Sequence, residues 1–569
     1  MRLTTERVDD IPLLMEQMER MGLTTLLDEH FKTHGNWSGL SLGWTSVVWL
    51  THILSQADHR LNQVEGWAEK RLQTLQQVTQ QSVRALDVSD DRLSDVLRAL
   101  SDDTQWQAFE GHTTTHLLRV YNLQATRVRL DATTASGYWE VTDDGLFQFG
   151  LSKDHRPDLP QVKVMLGVLD PLGLPVATEV AGGARADDPL YRPIIQRIRD
   201  SLRQPGLLYV GDCKMGALDT RADIATHDDF YLCPLSAVTV PATLIQARLA
   251  TLRASGQALT VVKRTVAGDP SEPVATGYEW TETQRAEVEG QTRTWSERRL
   301  LIRSVGQARS AEKGLRARLA HAQAALTHLT EQRRGKARLM DLPTAQQAVE
   351  RILARYQVAD WVAVSFTEQV QERQVRAYRD RPARMTQERT ISMTCDVDTT
   401  AVETAVNDLG WRVYATNQLA QHLSLEQAVW AYREQYYAEQ GFGRLKGQPL
   451  SLSPMYLARD DHASGLIRLL SIALRVLTLL QFVVRRRLTQ EQATLTGLYA
   501  GQPKRATTRP TAERLLDAFQ DITLTVLDLP QGLLRHLTPL SPLQLRILAL
   551  LDFAPDVYSR LAHDSSLPP

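Results

Sequence analysis

The chain has 569 residues, 43% of them hydrophobic and 23% charged, with a net charge of −1. That length exceeds one ordinary core, so about two to four domains are expected, and the composition excludes a disordered or fibrous chain. Near-neutral charge by itself argues against a nucleic-acid partner, but distribution matters more than the sum: the first hundred-odd residues lean acidic and the stretch around 285–390 leans basic.

The N-terminus MRLTTERVDDIP lacks the apolar middle of a signal peptide. Residues 1 to about 120 read as helical. IPLLMEQMERMGLTTLLDEHF carries apolar residues at three-and-four spacing, and Ser89 is a plausible N-cap for DDRLSDVLRAL. From about 126 the texture turns to short β-rich runs: TRVRLDATT, LFQFGLS, QVKVMLGVLD and LPVATEV. The helix-like PLYRPIIQRIRDSL follows, then the apolar strand LLYVGD. Three antiparallel-type strands, a helix and a further strand match the order of the first half of a ribonuclease-H-like domain.

Residues 236–400 mix β-type runs (ALTVVKRTV, RTWSERRLLIR, ERTISMTCDV) with a long helical piece. Leu315, Leu319, Ala322, Leu326 and Leu329 give that piece a narrow apolar stripe. GWRVYATN returns to strand character, and AYREQYYAEQGFGRLKG to helix. The most apolar run, Leu466–Val484, is interrupted by Ser471 and Arg475 and reads as a buried amphipathic helix, so no membrane span is expected. Residues 505–569 look like a short helical tail. Cys213, Cys233 and Cys395 are odd in number and widely spaced, which fits neither a zinc pattern nor a disulfide framework and suggests a reducing cytoplasm.

Three acids stand in settings that suit a divalent metal. Asp131 closes VRLD, Asp212 closes LLYVGD, and Glu439 lies in the helical YREQYYAEQGFGRLK. Hard cations prefer oxygen ligands, and paired metals activate one oxygen of a phosphodiester while stabilising another. Taken singly, Asp131 also suits a turn or cap, and Asp212 also suits backbone N–H groups. At about 100° per residue, Tyr432, Gln435, Glu439 and Lys446 would share one helix face, with Glu434 opposite. Gly441 and Gly443 would weaken the turn before Lys446. Asp154, Asp158 and Asp170 are competing acids, Asp170 as a hairpin residue, and Lys153, His155 and Arg156 could contact a DNA backbone. The basic clusters RTWSERRLLIR, EQRRGKAR, RQVRAYRDRPAR and Arg485–Arg487 each suit a solvated face, or phosphate binding when grouped near a metal site. Asp131 and Asp212 are 81 positions apart and Asp212 and Glu439 are 227 apart, so a long insertion must separate the last two. There is no HExxH, GxSxG or Walker-type motif.

LDATTASGYW, FGLSKDHRPDLPQVKVMLGVLD, LLYVGDCKMG, GWRVYATNQ and YREQYYAEQGFGRLK together resemble the DDE-type transposases of bacterial insertion sequences, in the cut-and-paste branch with a Y-R-E-K signature. Tyr432, Glu439 and Lys446 fit that signature, while Gln435 stands where its Arg is usual; Arg433 and Arg444 are the candidates to supply the charge. The resemblance implies an α/β ribonuclease-H-like catalytic core with a mixed α/β insertion and mainly α-helical N- and C-terminal regions. It divides the chain into a helical domain for DNA-end binding or dimerisation (1–122), the first part of the core (123–235), the insertion (236–402), the second part of the core (403–490) and a helical C-terminal region (491–569). It further implies that Asp131, Asp212 and Glu439 hold two Mg²⁺ ions (Mn²⁺ possible) and that Tyr432, Arg433, Arg444, Lys446, Lys153 and Arg156 contact DNA. The expected partners are double-stranded DNA, both terminal inverted repeats and target, and a second copy in a synaptic homodimer at the bacterial nucleoid. A catalytically inactive DNA-binding descendant and a host recombination or repair nuclease are the alternatives.

Overall fold

The computed structural model describes residues 2–562 apart from 265–271, 331–340, 377–381, 383, 454, 456, 458 and 531. The chain is mixed α/β and forms two compact units. One comprises Met1–Cys233, Thr283–Ser296 and Trp430–Pro569; the other comprises Pro234–Glu282 and Glu297–Val429.

In the first unit the sheet runs in the spatial order Leu174–Gly182, Gln161–Leu169, Arg127–Ser136, Leu208–Val210, Phe230–Pro234. The first three strands are antiparallel neighbours, and the last two run parallel to Arg127–Ser136. Gln161–Leu169 is buried at every position, which explains its run of Val, Met and Leu in place of alternation. The helix Asp188–Leu202 lies across it through Leu190, Ile194, Ile195 and Ile198. Its approach requires Gly167, because a Cβ there would stand 2.7 Å from Ile198 Cδ1. LFQFGLS does not form a strand. Only a single bridge, Gln148 to Gln161, joins it to the sheet.

Asp460–Gln490 is a helix of 31 residues, and 89% of its most apolar stretch is buried inside the fold. By length and composition it could cross a bilayer, so it is longer than the Leu466–Val484 run suggested. Gly465 lets it meet the helix Asp90–Leu100, since a Cβ would lie 2.1 Å from the Leu97 carbonyl oxygen. Its buried Arg475 donates to Glu110 Oε1 at 2.5 Å and to the Pro175 carbonyl at 2.9 Å. Ser89 is the N-cap residue of Asp90–Leu100, as expected, but its side chain makes no capping bond.

The two ends of the chain depart from the helical expectation. Arg2–Arg7 is a strand paired with Thr523–Leu529, which pairs in turn with Gly532–Leu537. Alternation in TLTVLDL buries Leu524 and Val526 while their neighbours face outward, a period-two pattern obscured by the Pro-marked breaks around it.

In the second unit, Leu315, Leu319, Ala322 and Leu326 of the helix Val305–Thr330 are buried as the stripe predicts, with Leu329 partly covered. They pack with Val349, Val402 and Val406 and with the ribbon Val362–Val375/Arg384–Val397. Trp411–Thr416 pairs antiparallel with Gln291–Ser304. The basic stretches here are largely spent on the fold. Arg298 bonds Glu279 at 2.5 Å and the carbonyls of Gln418 and Leu423 at 2.8 Å, and Arg299 meets Glu297 at 2.7 Å. EQRRGKAR and the centre of RQVRAYRDRPAR lie outside the described residues.

Candidate active site

Asp131 sits in the middle of the strand Arg127–Ser136, opposite Leu166, and not at its end. Its side chain is 18% exposed, and the Ala132 N–H donates to Oδ1 at 2.8 Å. Burial pushes this carboxyl up to about 6; Asp212 and Glu439 push it the same way, against the opposing pull of Lys153 and the Ala132 N–H. Asp212 and Glu439 therefore both lie within electrostatic reach of Asp131.

Asp212 lies two residues beyond the strand Leu208–Val210, which is parallel to Arg127–Ser136 and adjacent to it. Parallel pairing brings the C-terminal end of one strand level with the middle of the other. The Tyr191 hydroxyl donates to Asp212 Oδ1 at 2.7 Å and the Lys214 N–H at 2.8 Å. Burial, followed by the Asp212 charge, holds the Tyr191 phenol well above its usual range, so it stays a donor.

Glu439 reaches the site because its segment runs alongside the same strand. Arg129, Asp131 and Thr133 alternate onto one face. Glu434 stands 3.3 Å from Arg127 and 3.5 Å from Arg129, while the Lys446 ammonium donates to Thr133 Oγ1 at 3.1 Å and pairs with Asp154. Glu439 lies between those two anchors, in the first turn of the helix Tyr436–Lys446, with its side chain exposed.

The single helix expected from Tyr432 to Lys446 is in fact two. Leu425–Arg433 ends, and Tyr436–Lys446 begins with Gln435 as its N-cap. At the join the amides of Gln435, Tyr437 and Ala438 reach back three residues, the tighter turn of a helix end. Glu439 and Lys446 still share a helix, while Tyr432 stands half-buried on the preceding one. The distortion lies before the acid and not at Gly441 or Gly443, which the helix passes through unbroken.

The cations fare unequally. Lys153 Nζ donates to the Ala132 carbonyl at 2.5 Å and stands 3.9 Å from Asp131 and 3.4 Å from Asp187. It serves the acids directly. Arg156 is exposed and held by Asp158 at 2.8 Å. Arg444 bonds Glu513 at 2.7 Å and Gln481 at 2.6 Å, so it does not replace the missing signature Arg. Arg433 is exposed, its guanidinium 5.9 Å from the Trp430 ring. Arg485 and Arg486 donate to the carbonyls of Pro510 and Tyr121, both at 2.8 Å, so this cluster also belongs to the fold. Asp170, expected as a plain turn residue, is buried with Arg127 and Arg129 each 2.8 Å away.

Two residues escaped the sequence reading. Tyr191 lies in the first turn of PLYRPIIQRIRDSL and Asp187 just before it, and the available signal was a phenol on an otherwise aliphatic helix face. The donor set suits a hard divalent cation: three carboxylates, one of them lifted mainly by burial and further by the other two. Among the described residues, however, no group of three or more His, Cys, Asp or Glu side chains is arranged as a ready metal cluster.

No protein-family model matches the chain, and no curated protein does. Among solved structures it is similar to the piggyBac transposase synaptic complex with hairpin DNA, at 9% identity and a TM-score of 0.23. The match covers 53% of this chain and 61% of that one, less than two thirds of its length. At that identity and score the likeness decides neither fold nor chemistry.

Proposed function

We propose that the chain is a DDE-type DNA transposase with a ribonuclease-H-like core, acting on the terminal inverted repeats of an insertion sequence. The observation that carries this is that Asp212 and Glu439, acids from distant parts of the chain, both bear on Asp131, midway along an interior strand where the antiparallel part of the sheet meets its parallel part. A buried carboxyl held above its usual range beside two further acids is expected where a cation is to be received.

Asp131, Asp212 and Glu439 would hold two Mg²⁺ or Mn²⁺ ions. Bound there, the ions supply Lewis-acid activation of the attacking water or DNA 3′-hydroxyl and neutralise the leaving oxygen. Tyr191 and the Lys214 N–H fix the rotamer of Asp212 by bonding one oxygen and leaving the other to a ligand. Lys153 partly neutralises Asp131 beforehand, which limits the cost of holding the acids together. Lys446, tethered at Thr133, presents an ammonium to a phosphate at the same strand. DNA cleavage and strand transfer within a synaptic homodimer in the bacterial cytoplasm complete the reading.

The test is to incubate the full chain, with Mg²⁺, with DNA from either side of its own reading frame. Cleavage at an inverted repeat is expected. Asp131→Ala, Asp212→Ala and Glu439→Ala should each cut it at least about a thousandfold, or about 4 kcal/mol of barrier, while end binding stays within a few-fold. Retained cleavage in any one removes that residue from the site. A second reading, a DNA-binding descendant without catalysis, is favoured by Gln435 in the signature position. Intact end binding with no cleavage by the unaltered chain would select it.

A further inference from the structure

Glu434 precedes Glu439 by five residues, and one of its oxygens is shared between two arginines of the strand that carries Asp131. Its Oε2 stands 3.3 Å from Arg127 Nη1 and 3.5 Å from Arg129 Nη2. The same two nitrogens each donate at 2.8 Å to Asp170 Oδ2, at the turn between the strands Gln161–Leu169 and Leu174–Gly182. That turn also meets the helix Tyr436–Lys446 directly, because a Cβ at Gly173 would stand 3.3 Å from the Tyr437 carbonyl oxygen. Two parts of the sheet therefore hold the chain at the helix join, where neither Gly nor Pro fixes its course.

As a stabilising device the cluster is poorly built. Arg129 and Asp170 are almost wholly buried, yet Arg129 Nε and Nη1 and Asp170 Oδ1 have no hydrogen-bond partner among the described residues. Burial of ions on these terms costs desolvation that their attraction only partly offsets, and what such a cluster can supply is a single register. The register here is that of helix against strand. Glu434 sits at Arg129 and Lys446 at Thr133, so the helix and the strand run the same way. From Glu434, five helical positions advance about 7.5 Å to Glu439, and from Arg129, two strand positions advance about 6.6 Å to Asp131. The Lys446 end matches less well, with about 10.5 Å of helix against about 6.6 Å of strand. The anchor at Glu434 is thus the one that keeps the two acids level.

We propose that Glu434 is a positioning residue: clamped by Arg127 and Arg129, it fixes where the helix Tyr436–Lys446 begins along the strand Arg127–Ser136 and so sets Glu439 opposite Asp131 for a shared metal ion. This rests on the proposed reading of Asp131, Asp212 and Glu439 as the metal site. Glu434 acts through Glu439 and touches neither the ion nor DNA. Its removal loosens the third carboxylate while leaving the other two in place.

The experiment follows Mn²⁺ binding to the full chain without DNA, by the electron paramagnetic resonance signal of the free ion, and titrates end cleavage with Mg²⁺. Glu434→Ala should weaken Mn²⁺ binding about tenfold and raise the half-saturating Mg²⁺ concentration by the same factor, as for other residues that orient a metal ligand, with cleavage at saturating Mg²⁺ within about threefold. Glu434→Gln keeps an oxygen facing the guanidinium groups and should stay within about threefold of the unaltered chain on both measures. Arg127→Gln, at the more exposed end of the cluster, should match Glu434→Ala, and the two together should lose no more than either alone. Should Glu434→Ala not fold, Arg127→Gln carries the same test. Unchanged Mn²⁺ affinity, whatever the melting temperature, would overturn the proposal. So would an equal loss in Glu434→Gln, which would assign the effect to charge alone, or one fewer ion bound at saturation, which would make Glu434 a ligand. If Asp131→Ala and Glu439→Ala lose Mn²⁺ binding and Glu434→Ala does not, the clamp alone fails. If those two acid variants bind Mn²⁺ like the unaltered chain, the metal-site reading fails and the clamp falls with it.

Discussion

Glu110 and Asp131 are both carboxylates within the first unit, and their surroundings differ in one respect. Glu110, with 3% of its side chain exposed, receives Arg475 and Arg197 at 2.5 Å each. Asp170 is likewise flanked by Arg127 and Arg129. Asp131, nearly as covered, meets two further acids and a lysine no closer than 3.9 Å. Two arginines occupy both oxygens of Glu110, whereas Asp131 meets the Ala132 N–H at Oδ1 and a lysine at that distance, which leaves Oδ2 available. A fully paired acid locks the fold; an underpaired one is available to a ligand.

The largest effect that sharpens this contrast is the thousandfold loss of cleavage on removing a site acid, since that should come with no loss of stability. Relieving mutual repulsion should hold or raise the melting temperature, and a fall by several degrees would place Asp131 with the structural acids instead. Arg475→Met should behave in the opposite way. It leaves Glu110 Oε1 unpaired in the interior, with Oε2 still on Arg197, and should cost about 3–5 kcal/mol in urea unfolding, with part recovered by adding Glu110→Gln. An undiminished midpoint would break the comparison.

Asp10 is an intermediate case: a buried carboxyl whose Oδ1 accepts from the Ser55 hydroxyl at 2.7 Å. Burial pushes it up to about 7, partly offset by Ser55. The folded state therefore holds a proton that the unfolded chain releases near pH 4. The stability this group contributes is complete below pH 4 and is lost as pH rises through 7. Asp10→Asn should stabilise the protein by about 2–4 kcal/mol at pH 8 and by almost nothing at pH 4, as read from thermal melts across that range. A gain that does not depend on pH would show that the carboxyl is not protonated in the fold. The smallest expected effect is at Gly443, where a Cβ would meet nothing within 4 Å. Gly443→Ala should add about 0.5–1 kcal/mol by helix propensity, provided the helix is as continuous as described.

Much of this was readable from local pattern. The strands at Arg127, Gln161, Leu174 and Leu208, the helix Asp188–Leu202 and the apolar stripe from Leu315 to Leu326 all announce themselves by periodicity and composition. Asp131, Asp212 and Glu439 could be named because each stands in a recognisable local setting. What misled was the assumption that helical spacing continues through Glu434 and Gln435. Backbone turns at a helix join leave no residue-type signature when neither Gly nor Pro marks them. The strand pairing of Arg2–Arg7 with Thr523–Leu529 was equally hidden, because each strand is short and its partner lies at the other end of the chain.

The amino-acid sequence by itself determined which residue types could do chemistry and which segments would be strand or helix, because those follow from side-chain character and spacing over a few residues. Only the tertiary structure decided which charges are spent. Arg444 reads as a DNA contact, Arg485 and Arg298 as members of basic clusters and Asp170 as a hairpin residue, yet all four are consumed by partners elsewhere in the fold, while Lys153 and Tyr191 are brought to the acids. Whether a charge is neutralised depends on distances of a few ångströms between segments, and folding alone sets those distances.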